Sequence, residues 1–213
     1  MVAIIDYDAG NIKSVEKAAA ALGEEVMVTR DADIILSADH VILPGVGAFG
    51  DAMEKLRSYG LEAVIKKVVE KKTPFLGICL GLQLLFESSE ESEGVKGLGI
   101  LPGKILRIPA DDDLKIPHIG WNSLSYPNKG RLFKDIPEHS YVYFVHSYYL
   151  KAQDEDIVTA STEYGVSIHA SVEKGNVFAC QFHPEKSSDV GMKILKNFLD
   201  RNIGTDGEDT NAY

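Results

Sequence analysis

The sequence has little cysteine, fewer basic than acidic residues and no long apolar run. Each of these shortages argues against a class of protein. Its 213 residues include two cysteines, Cys79 and Cys180, so no disulfide framework is indicated and a reducing compartment is favoured. The net charge of −10 argues against nucleic acid or an anionic membrane as a main partner. No apolar run approaches the roughly 20 residues of a membrane span, and the first residues lack the features of a signal peptide. We therefore expect a cytoplasmic protein that binds neither nucleic acid nor membrane.

The first half of the chain alternates short β-rich runs with helical stretches. The predicted strands cover residues 2–7, 25–29, 40–43 and 74–78, and the predicted helices cover 13–22 and 51–72. Strands that alternate with helices in this way predict right-handed βαβ units and a largely parallel sheet. The fold class is therefore α/β, with helices flanking a central parallel or mixed sheet.

The second half has a different pattern, in which short strands follow one another across turns as antiparallel strands do. They cover residues 101–108, 141–145, 157–161, 166–170 and 177–182. A last helix over 190–201 follows Ser187, Ser188 and Asp189, each a suitable N-cap. We assign one domain to residues 1–203 and predict that the acidic residues 204–213 form a disordered tail.

The most informative segment is PFLGICLGLQLLF, residues 74–86, where an apolar strand leads into an amphipathic helix through Gly77-Ile78-Cys79-Leu80-Gly81. This is the nucleophile-elbow pattern with cysteine at the position of the nucleophile. The glycines leave room for a sharp, strained turn, and a sulfur at a helix N-terminus is favoured as the thiolate. A buried, unreactive cysteine is the alternative, and it is how we interpret Cys180, which lies in a strand without such a turn.

A thiol nucleophile needs a base that a third group holds in place. Of the six histidines, His183 alone has a carboxylate in a useful relation to it, in QFHPE at residues 181–185. Pro184 favours extended backbone at His183, and residues i and i+2 of extended chain share a face, so Glu185 can orient the ring. A solvated surface histidine is the alternative.

Residues 45–50, GVGAFG, match the G-x-G-x-x-G pattern of dinucleotide-binding proteins. That interpretation also needs an acidic residue at the end of the next strand, which here ends at Ile78 and Cys79. We instead expect this glycine loop to lie beside the elbow, because strand 40–43 neighbours strand 74–78. Its backbone N–H groups at Val46 and Gly47, together with that of Leu80, are then candidates for an oxyanion hole. A tight turn without a chemical role is the remaining alternative.

Three motifs in this order, PGVGAFG, GICLGLQLLF and QFHPE, resemble those of the class I glutamine amidotransferases, a flavodoxin-like fold with a Cys-His-Glu triad. Four further segments resemble the glutaminase subunits of imidazole glycerol phosphate synthase. They are IIDYDAGNIKSV near the start, PHIGWN at 117–122, FVHSYY at 144–149 and a lysine directly after the triad acid in HPEKSS. The resemblance covers residues 2–200.

The resemblance implies that Cys79 is the nucleophile, His183 the base and Glu185 its orienting acid in hydrolysis of glutamine through a thioester. The ammonia would pass to a cyclase subunit as partner, and neither a cofactor nor a metal is implied. The implied substrate-site residues are Gln83, Glu91, His146 and Tyr148. The candidate residues for the partner surface are Asn11, Trp121, Tyr143 and Lys186, with a buried core position as the alternative for Trp121.

Two other hypotheses stay open at this point. The first keeps the glutaminase but assigns it to another synthase, for example the one that makes pyridoxal phosphate. IGWN and HPEKS weigh against it. The second is a flavodoxin-like binding module whose Cys79 is inert. A reagent that alkylates glutamine sites separates this module from an enzyme, because only an enzyme is labelled at Cys79.

Overall fold

The computed structural model of the chain describes residues 1–110 and 114–203, so the predicted tail over 204–213 lies outside the described residues. The twelve strands are β1 Val2–Ile5, β2 Val26–Thr29, β3 His40–Leu43, β4 Phe75–Ile78, β5 Ser88–Ser89, β6 Gly103–Arg107, β7 His118–Ser123, β8 Tyr141–His146, β9 Tyr148–Ala152, β10 Val158–Glu163, β11 Ser167–Lys174 and β12 Val177–Cys180. The six helices are α1 Ile12–Ala21, α2 Ala32–Ser37, α3 Phe49–Ser58, α4 Leu61–Glu70, α5 Leu80–Leu84 and α6 Ser188–Phe198. Three short 3-10 turns cover Arg131–Phe133, Glu155–Ile157 and Pro184–Lys186.

A seven-stranded sheet with the order β10-β11-β12-β4-β3-β1-β2 forms the centre of the fold. Strands β12, β4, β3, β1 and β2 run parallel, and β11 and β10 continue the sheet antiparallel. The predicted mixed sheet is therefore confirmed, as is the predicted pairing of β3 with β4. Two smaller sheets, β5-β6-β9 and β7-β8, add the antiparallel part of the second half.

Both faces of the central sheet are covered by apolar side chains, and alternate residues of each strand point to opposite sides. In β1, Ala3 and Ile5 belong to a core cluster that includes residues of α3 and α4, whereas Val2 and Ile4 belong to a second cluster with residues of α1 and α6. All four residues of β1 are buried. This two-sided burial explains why β1, β3 and β4, which are buried at all four positions, are mainly apolar.

Two helical predictions were inaccurate. The predicted helix over 51–72 is two helices, α3 and α4, because Gly60 adopts φ 69°, a left-handed conformation that interrupts a helix. Helix α2 was not predicted, although its signal is in the sequence: the Asp31 side chain accepts hydrogen bonds from the backbone N–H groups of Asp33 and Ile34. Ser187 precedes α6 but does not cap it, since its hydroxyl donates to the His183 carbonyl at 2.6 Å.

In the second half, β7 and β9 were not predicted. Trp121 lies in β7 opposite Tyr143 of β8. Gly120 and the short, mixed polar and apolar pattern of β7 hide its strand character. Within the described residues, no helix is long and apolar enough to span a membrane.

Candidate active site

Cys79 occupies a sharp turn between β4 and α5, with φ 55° and ψ −109°. The flanking glycines are required by close backbone contacts. A Cβ on Gly77 would lie 2.7 Å from the Gly81 carbonyl oxygen, and one on Gly81 would lie 1.9 Å from the Leu43 carbonyl oxygen. The predicted steric role of both glycines is thus confirmed. Helix α5, however, is only five residues long and buried throughout, so the predicted amphipathic helix is wrong.

The end of β12 brings His183 and Glu185 to the same edge of the sheet as Cys79. His183 Nδ1 lies 2.8 Å from Glu185 Oε1, and both side chains are buried. Extended backbone holds His183, but Glu185 lies in the 3-10 turn Pro184–Lys186, so a turn and not the predicted i, i+2 alternation brings its carboxylate back to the ring. We call Cys79, His183 and Glu185 the trio.

The charge state of His183 is set by its neighbours. Burial lowers its pKa, but hydrogen bonding and charge attraction from Cys79 and Glu185 outweigh burial and raise the pKa to about 9. The His183 ring is therefore protonated at neutral pH. Among the described residues, His183 Nε2 is buried and has no hydrogen-bond partner within ordinary limits of distance and angle.

Asn11, predicted to lie on the partner surface, also contacts the trio. Its Nδ2 donates to Glu185 Oε1 at 2.7 Å, the same oxygen that faces His183. Asn11 precedes α1 in a left-handed conformation, φ 67°, which is tolerated by asparagine and turns its side chain toward the trio. Sequence reasoning missed this contact because 174 positions separate the two residues.

The glycine loop lies beside the elbow, as predicted, but it is not arranged as an oxyanion hole. The Leu80 amide donates to the Gly45 carbonyl at 3.3 Å, so this donor is occupied. At the start of the loop, the buried Tyr7 hydroxyl donates to the Pro44 carbonyl at 2.9 Å. Val46 is partly exposed at the tip. In this conformation the carbonyl of Gly45 fills the place that an oxyanion would need at Leu80.

A cavity of about 310 Å³ opens over the sulfur of Cys79. It brings together every predicted substrate-site and oxyanion-hole residue. The lining residues are Val46, Gly47, Cys79, Leu80, Gln83, Glu91, Pro117, Val145, His146, Ser147 and Tyr148. Its size suits a ligand as small as an amino acid.

The polar groups of this cavity are themselves fixed by hydrogen bonds, which the sequence did not indicate. Gln83 Nε2 donates to the Tyr148 carbonyl at 3.1 Å and to Gln181 Oε1 at 3.0 Å. Glu91 Oε2 accepts from the Phe49 amide at 2.8 Å and so caps α3, directly after the glycine loop. One amide nitrogen and one carboxylate oxygen are therefore already engaged within the protein.

His146 lies behind the cavity in a pair with His118, which sequence reasoning missed. His146 Nδ1 donates to the Tyr148 carbonyl at 2.9 Å, which leaves its Nε2 to accept from His118 Nδ1 at 3.0 Å. Burial lowers the pKa of His118 to about 4 and that of His146 to about 3. Both rings are therefore neutral at physiological pH and hold their tautomers, with His118 stacked between Phe144 and Tyr164.

The outer side of β7 and β8 exposes large apolar side chains near the trio. Trp121 is 53% exposed, and Ile119 and Tyr141 are each 58% exposed. Tyr143 packs edge-on against Trp121, with ring centroids 6.0 Å apart, and its carbonyl accepts from the His183 amide at 2.9 Å. We call Ile119, Trp121, Tyr141 and Tyr143 the β7–β8 face. Trp121 is thus not a core residue, and Lys186, which follows Glu185, is also exposed.

Across residues 1–110 and 114–203, the structure contains no cluster of three or more His, Cys, Asp or Glu side chains that could hold a metal ion. The polar groups around Cys79 are a thiol, imidazoles, amides and single carboxylates. They form the arrangement of a covalent hydrolase with a cysteine nucleophile.

Comparison with known proteins agrees with this arrangement. The family described as "Glutamine amidotransferase class-I" matches residues 3–202. A protein of Moorella thermoacetica named imidazole glycerol phosphate synthase subunit HisH is 52% identical over 208 residues, covering 97% of this chain and 98% of the relative. A protein of the same name from Methanocaldococcus jannaschii is 48% identical over 200 residues, covering 94% and 99%. The chain belongs to the class I glutamine amidotransferases and, within them, to the HisH family.

Solved structures support the fold at lower sequence similarity. One described as a glutamine amidotransferase has a TM-score of 0.73 at 21% identity and covers 94% of this chain and 98% of its own. A Trypanosoma brucei CTPS glutaminase domain with bound acivicin has a TM-score of 0.65 at 16% identity, with 92% of each chain covered. The mixed α/β architecture is therefore that of class I glutamine amidotransferases.

Proposed function

We propose that this chain is the glutaminase subunit of an imidazole glycerol phosphate synthase, which hydrolyses glutamine to glutamate and ammonia for histidine biosynthesis. The observation that carries the proposal is the trio under the 310 Å³ cavity: Cys79 on its elbow, and His183 held by Glu185 at 2.8 Å. The relatives named as HisH subunits, 48% and 52% identical over nearly the whole chain, support the choice of synthase.

In the proposed reaction, the Cys79 thiolate attacks the side-chain amide carbon of glutamine, and the amide oxygen becomes an oxyanion. His183, protonated at neutral pH because its pKa is raised to about 9, donates its Nε2 proton to the nitrogen. The carbon–nitrogen bond breaks, ammonia leaves and a thioester remains. Neutral His183 then takes a proton from water, the resulting hydroxide attacks the thioester, and glutamate and the thiolate are released.

The oxyanion needs donors that the described conformation does not offer. For Leu80 to donate to it, the hydrogen bond from Leu80 to the Gly45 carbonyl must break. Gly45 and Gly47 leave the intervening Val46 free to reorient, whereas the Tyr7 hydroxyl holds the loop at Pro44. We therefore propose that turning the Gly45–Val46 peptide frees the Leu80 amide and presents the Val46 or Gly47 amide.

Recognition of the amino-acid part of glutamine is assigned to the far wall of the cavity. We propose that Glu91 pairs with the α-ammonium group through the oxygen that does not cap α3. Gln83 keeps its amide nitrogen on the Tyr148 carbonyl and on Gln181, so its oxygen is the group left for the substrate. His146 and Tyr148 contribute mainly through backbone geometry, because the His146 ring is committed to its pair with His118.

We propose that the partner is the cyclase subunit and that it docks on the β7–β8 face, with Lys186 beside it and Asn11 nearby. Exposed aromatic side chains are typical anchors of protein interfaces. The face is joined to the site, since Tyr143 and His183 are hydrogen-bonded through their backbones. A closed passage between the subunits would keep ammonia from being protonated in water, where it would lose its nucleophilicity.

The test is reconstitution. The chain is co-purified with the cyclase subunit, and product formation is measured with glutamine and, separately, with an ammonium salt. We expect both nitrogen sources to support synthesis in the complex and glutamine to fail when Cys79 is replaced by alanine. Stable binding to a pyridoxal phosphate synthase subunit, with no binding to the cyclase, would contradict the proposed synthase while leaving the glutaminase activity in place.

A further inference from the structure

A buried amide outside the trio lies against the sulfur of Cys79. Gln181 Nε2 is 3.7 Å from Cys79 Sγ, and the Gln181 side chain is fully buried. The fold explains why they meet: β4 and β12 are parallel neighbours with Ile78 opposite Cys180, and Cys79 and Gln181 are the next residue of each strand's continuation. The Cys79 amide donates to the Cys180 carbonyl at 2.8 Å and fixes this juxtaposition.

Hydrogen bonds determine which end of the Gln181 amide faces the sulfur. The Tyr148 carbonyl can only accept, so the NH₂ group of Gln83 must face it, at 3.1 Å. The same NH₂ group lies 3.0 Å from Gln181 Oε1, so the oxygen of Gln181 faces Gln83. The NH₂ group of Gln181 is therefore the end that points at Cys79. The network fixes a donor, and not an acceptor, at the nucleophile.

Two backbone donors near the sulfur have other partners. The Leu80 amide donates to the Gly45 carbonyl at 3.3 Å, and the Leu82 amide donates to the Cys79 carbonyl at 3.0 Å. Gln181 Nε2 lies at hydrogen-bond distance from the sulfur and adds a second side-chain donor to the interaction that His183 makes with Cys79. A hydrogen bond to a charged acceptor is stronger than one to a neutral acceptor, so this donor favours the thiolate over the thiol.

We propose that Gln181 is a further catalytic residue, which stabilises the Cys79 thiolate by donating a hydrogen bond to it. The role rests on the proposed function, in which Cys79 is the nucleophile. It serves both halves of the reaction: before attack it favours the charged sulfur, and during thioester hydrolysis it favours departure of the sulfur as a thiolate. Gln83 acts through Gln181 as a positioning residue.

The test is the pH dependence of Cys79 alkylation by iodoacetamide, measured on the Cys79 peptide by mass spectrometry in the complex with the cyclase subunit. Gln181→Met removes the donor and keeps the length of the side chain. We expect the pH midpoint of alkylation to rise by about one unit, which makes alkylation about tenfold slower at pH values below both midpoints. The kcat of glutamine hydrolysis should fall by a similar factor, with KM nearly unchanged.

Gln181→Glu is the sharper variant, because it keeps an oxygen for Gln83 and sets a carboxylate oxygen against the sulfur. Its midpoint should rise above that of Gln181→Met. The matched control is Gln153→Glu, at an exposed position away from the site, which should leave the midpoint unchanged. Midpoints equal to wild type in both folded Gln181 variants would overturn the proposal and leave Gln181 a structural residue.

Two further points allow the experiment to decide the role of Gln181 even if a variant does not fold or glutamine is not hydrolysed. If neither variant folds, the wild-type protein is titrated by NMR: the Gln181 Nε2 protons should shift with the same midpoint as alkylation, and a flat signal would overturn the proposal. Alkylation by iodoacetamide needs no glutamine, so it tests Gln181 even if the wild-type complex fails to hydrolyse glutamine. That failure would contradict the proposed function, and the alkylation profile would still decide the role of Gln181.

Discussion

Cys79 and Cys180 are close neighbours at the ends of two parallel strands, and both are buried, but their backbone conformations and neighbouring polar groups differ. Cys180 is the last residue of a regular strand, fully buried, and burial raises its pKa well above the ordinary value. Cys79 lies one position past its strand in a left-handed turn, with a cavity above it and an imidazole and an amide beside it. A single step past the strand end thus separates a core residue from the proposed nucleophile.

The largest expected effect separates the two cysteines directly. Cys79→Ala should lower glutamine hydrolysis by about 10⁴-fold or more, because it removes the group that forms the thioester. Cys180→Ala should leave turnover within about threefold and lower the free energy of unfolding by about 1 kcal/mol, the cost of a small cavity. Both are measured as glutamate release and thermal unfolding in the same preparation. Wild-type turnover in Cys79→Ala would refute the covalent mechanism.

The second-largest effects are expected at His183 and Glu185. His183→Ala should cost about as much as Cys79→Ala, since the trio acts as a unit. Glu185→Gln should cost less, about 10- to 100-fold in kcat, because Asn11 donates to the oxygen that faces His183 and would keep an amide oxygen in that place. The measurement is steady-state kinetics of both variants in the complex. Equal and negligible losses would show that this pair is not the base and its orienting acid.

The β7–β8 face offers a contrast to the buried site. Trp121→Ala should weaken binding of the cyclase subunit about thirtyfold, or about 2 kcal/mol, while synthesis driven by ammonium salt survives at saturating subunit concentration. Met27→Ala is the control, because Met27 is an exposed apolar residue on β2, at the far edge of the sheet. Affinity is measured by titration calorimetry. Loss of folding in isolated Trp121→Ala would show that Trp121 supports the core after all.

Asn11 is a candidate for both the buried site and the partner surface, so a variant of Asn11 tests in which of the two it acts. If it positions Glu185, Asn11→Ala should lower kcat about tenfold, the scale of one hydrogen bond to a charged group, and leave the affinity for the cyclase subunit unchanged. If it acts only at the interface, the affinity falls and kcat at saturation is preserved. Kinetics and calorimetry on the same variant distinguish the two.

The smallest effect concerns the histidine pair and its pH dependence. In the unfolded chain a histidine has its ordinary pKa, about 6.5, and the folded protein lowers that of His118 to about 4. Between these values the unfolded state binds more protons, so stability falls as the pH falls below 6.5. Each pH unit should remove about 1.4 kcal/mol for this residue.

His118→Phe keeps the stacking between Phe144 and Tyr164 and removes one titrating group. The loss of unfolding free energy from pH 6.5 to 5.5 should therefore be smaller in the variant than in wild type by about 1 kcal/mol, because His118 of the unfolded chain is only half protonated at pH 6.5. Urea unfolding at both pH values measures it. An unchanged slope would mean that His118 is protonated in the folded protein and that the tautomer assignment of the pair is wrong.

The sequence predicted those parts of the molecule that depend on local pattern. The glycines around Cys79 follow from the steric demands of one turn, and β3 beside β4 follows from the alternation of strands and helices. Glu185 was paired with His183 correctly for an incomplete reason, because a 3-10 turn and not extended chain brings the two together. Their spacing in the sequence was enough to predict that His183 and Glu185 are paired, but not to predict the backbone conformation that pairs them.

What the sequence could not predict depends on contacts between distant segments. Asn11 and Glu185 are 174 positions apart, and Gln181 meets Cys79 only because β12 lies beside β4. The His118–His146 pair depends on the register of β7 against β8, and β7 itself has no clear strand pattern. The Leu80 amide is occupied because the Gly45 carbonyl points toward it. Residue types do not determine this orientation, because glycine allows the peptide more than one.

The most direct test of the central claim, that Cys79 and not Cys180 forms the covalent intermediate, is labelling with a glutamine analogue that alkylates its attacking group. The complex with the cyclase subunit is incubated with the analogue, digested and sequenced by mass spectrometry, with glutamine added in a parallel sample. We predict one label per chain, on Cys79, with protection by glutamine and with Cys180 unmodified. Labelling of Cys180, or no labelling of Cys79 while glutamine is being hydrolysed, would contradict the mechanism.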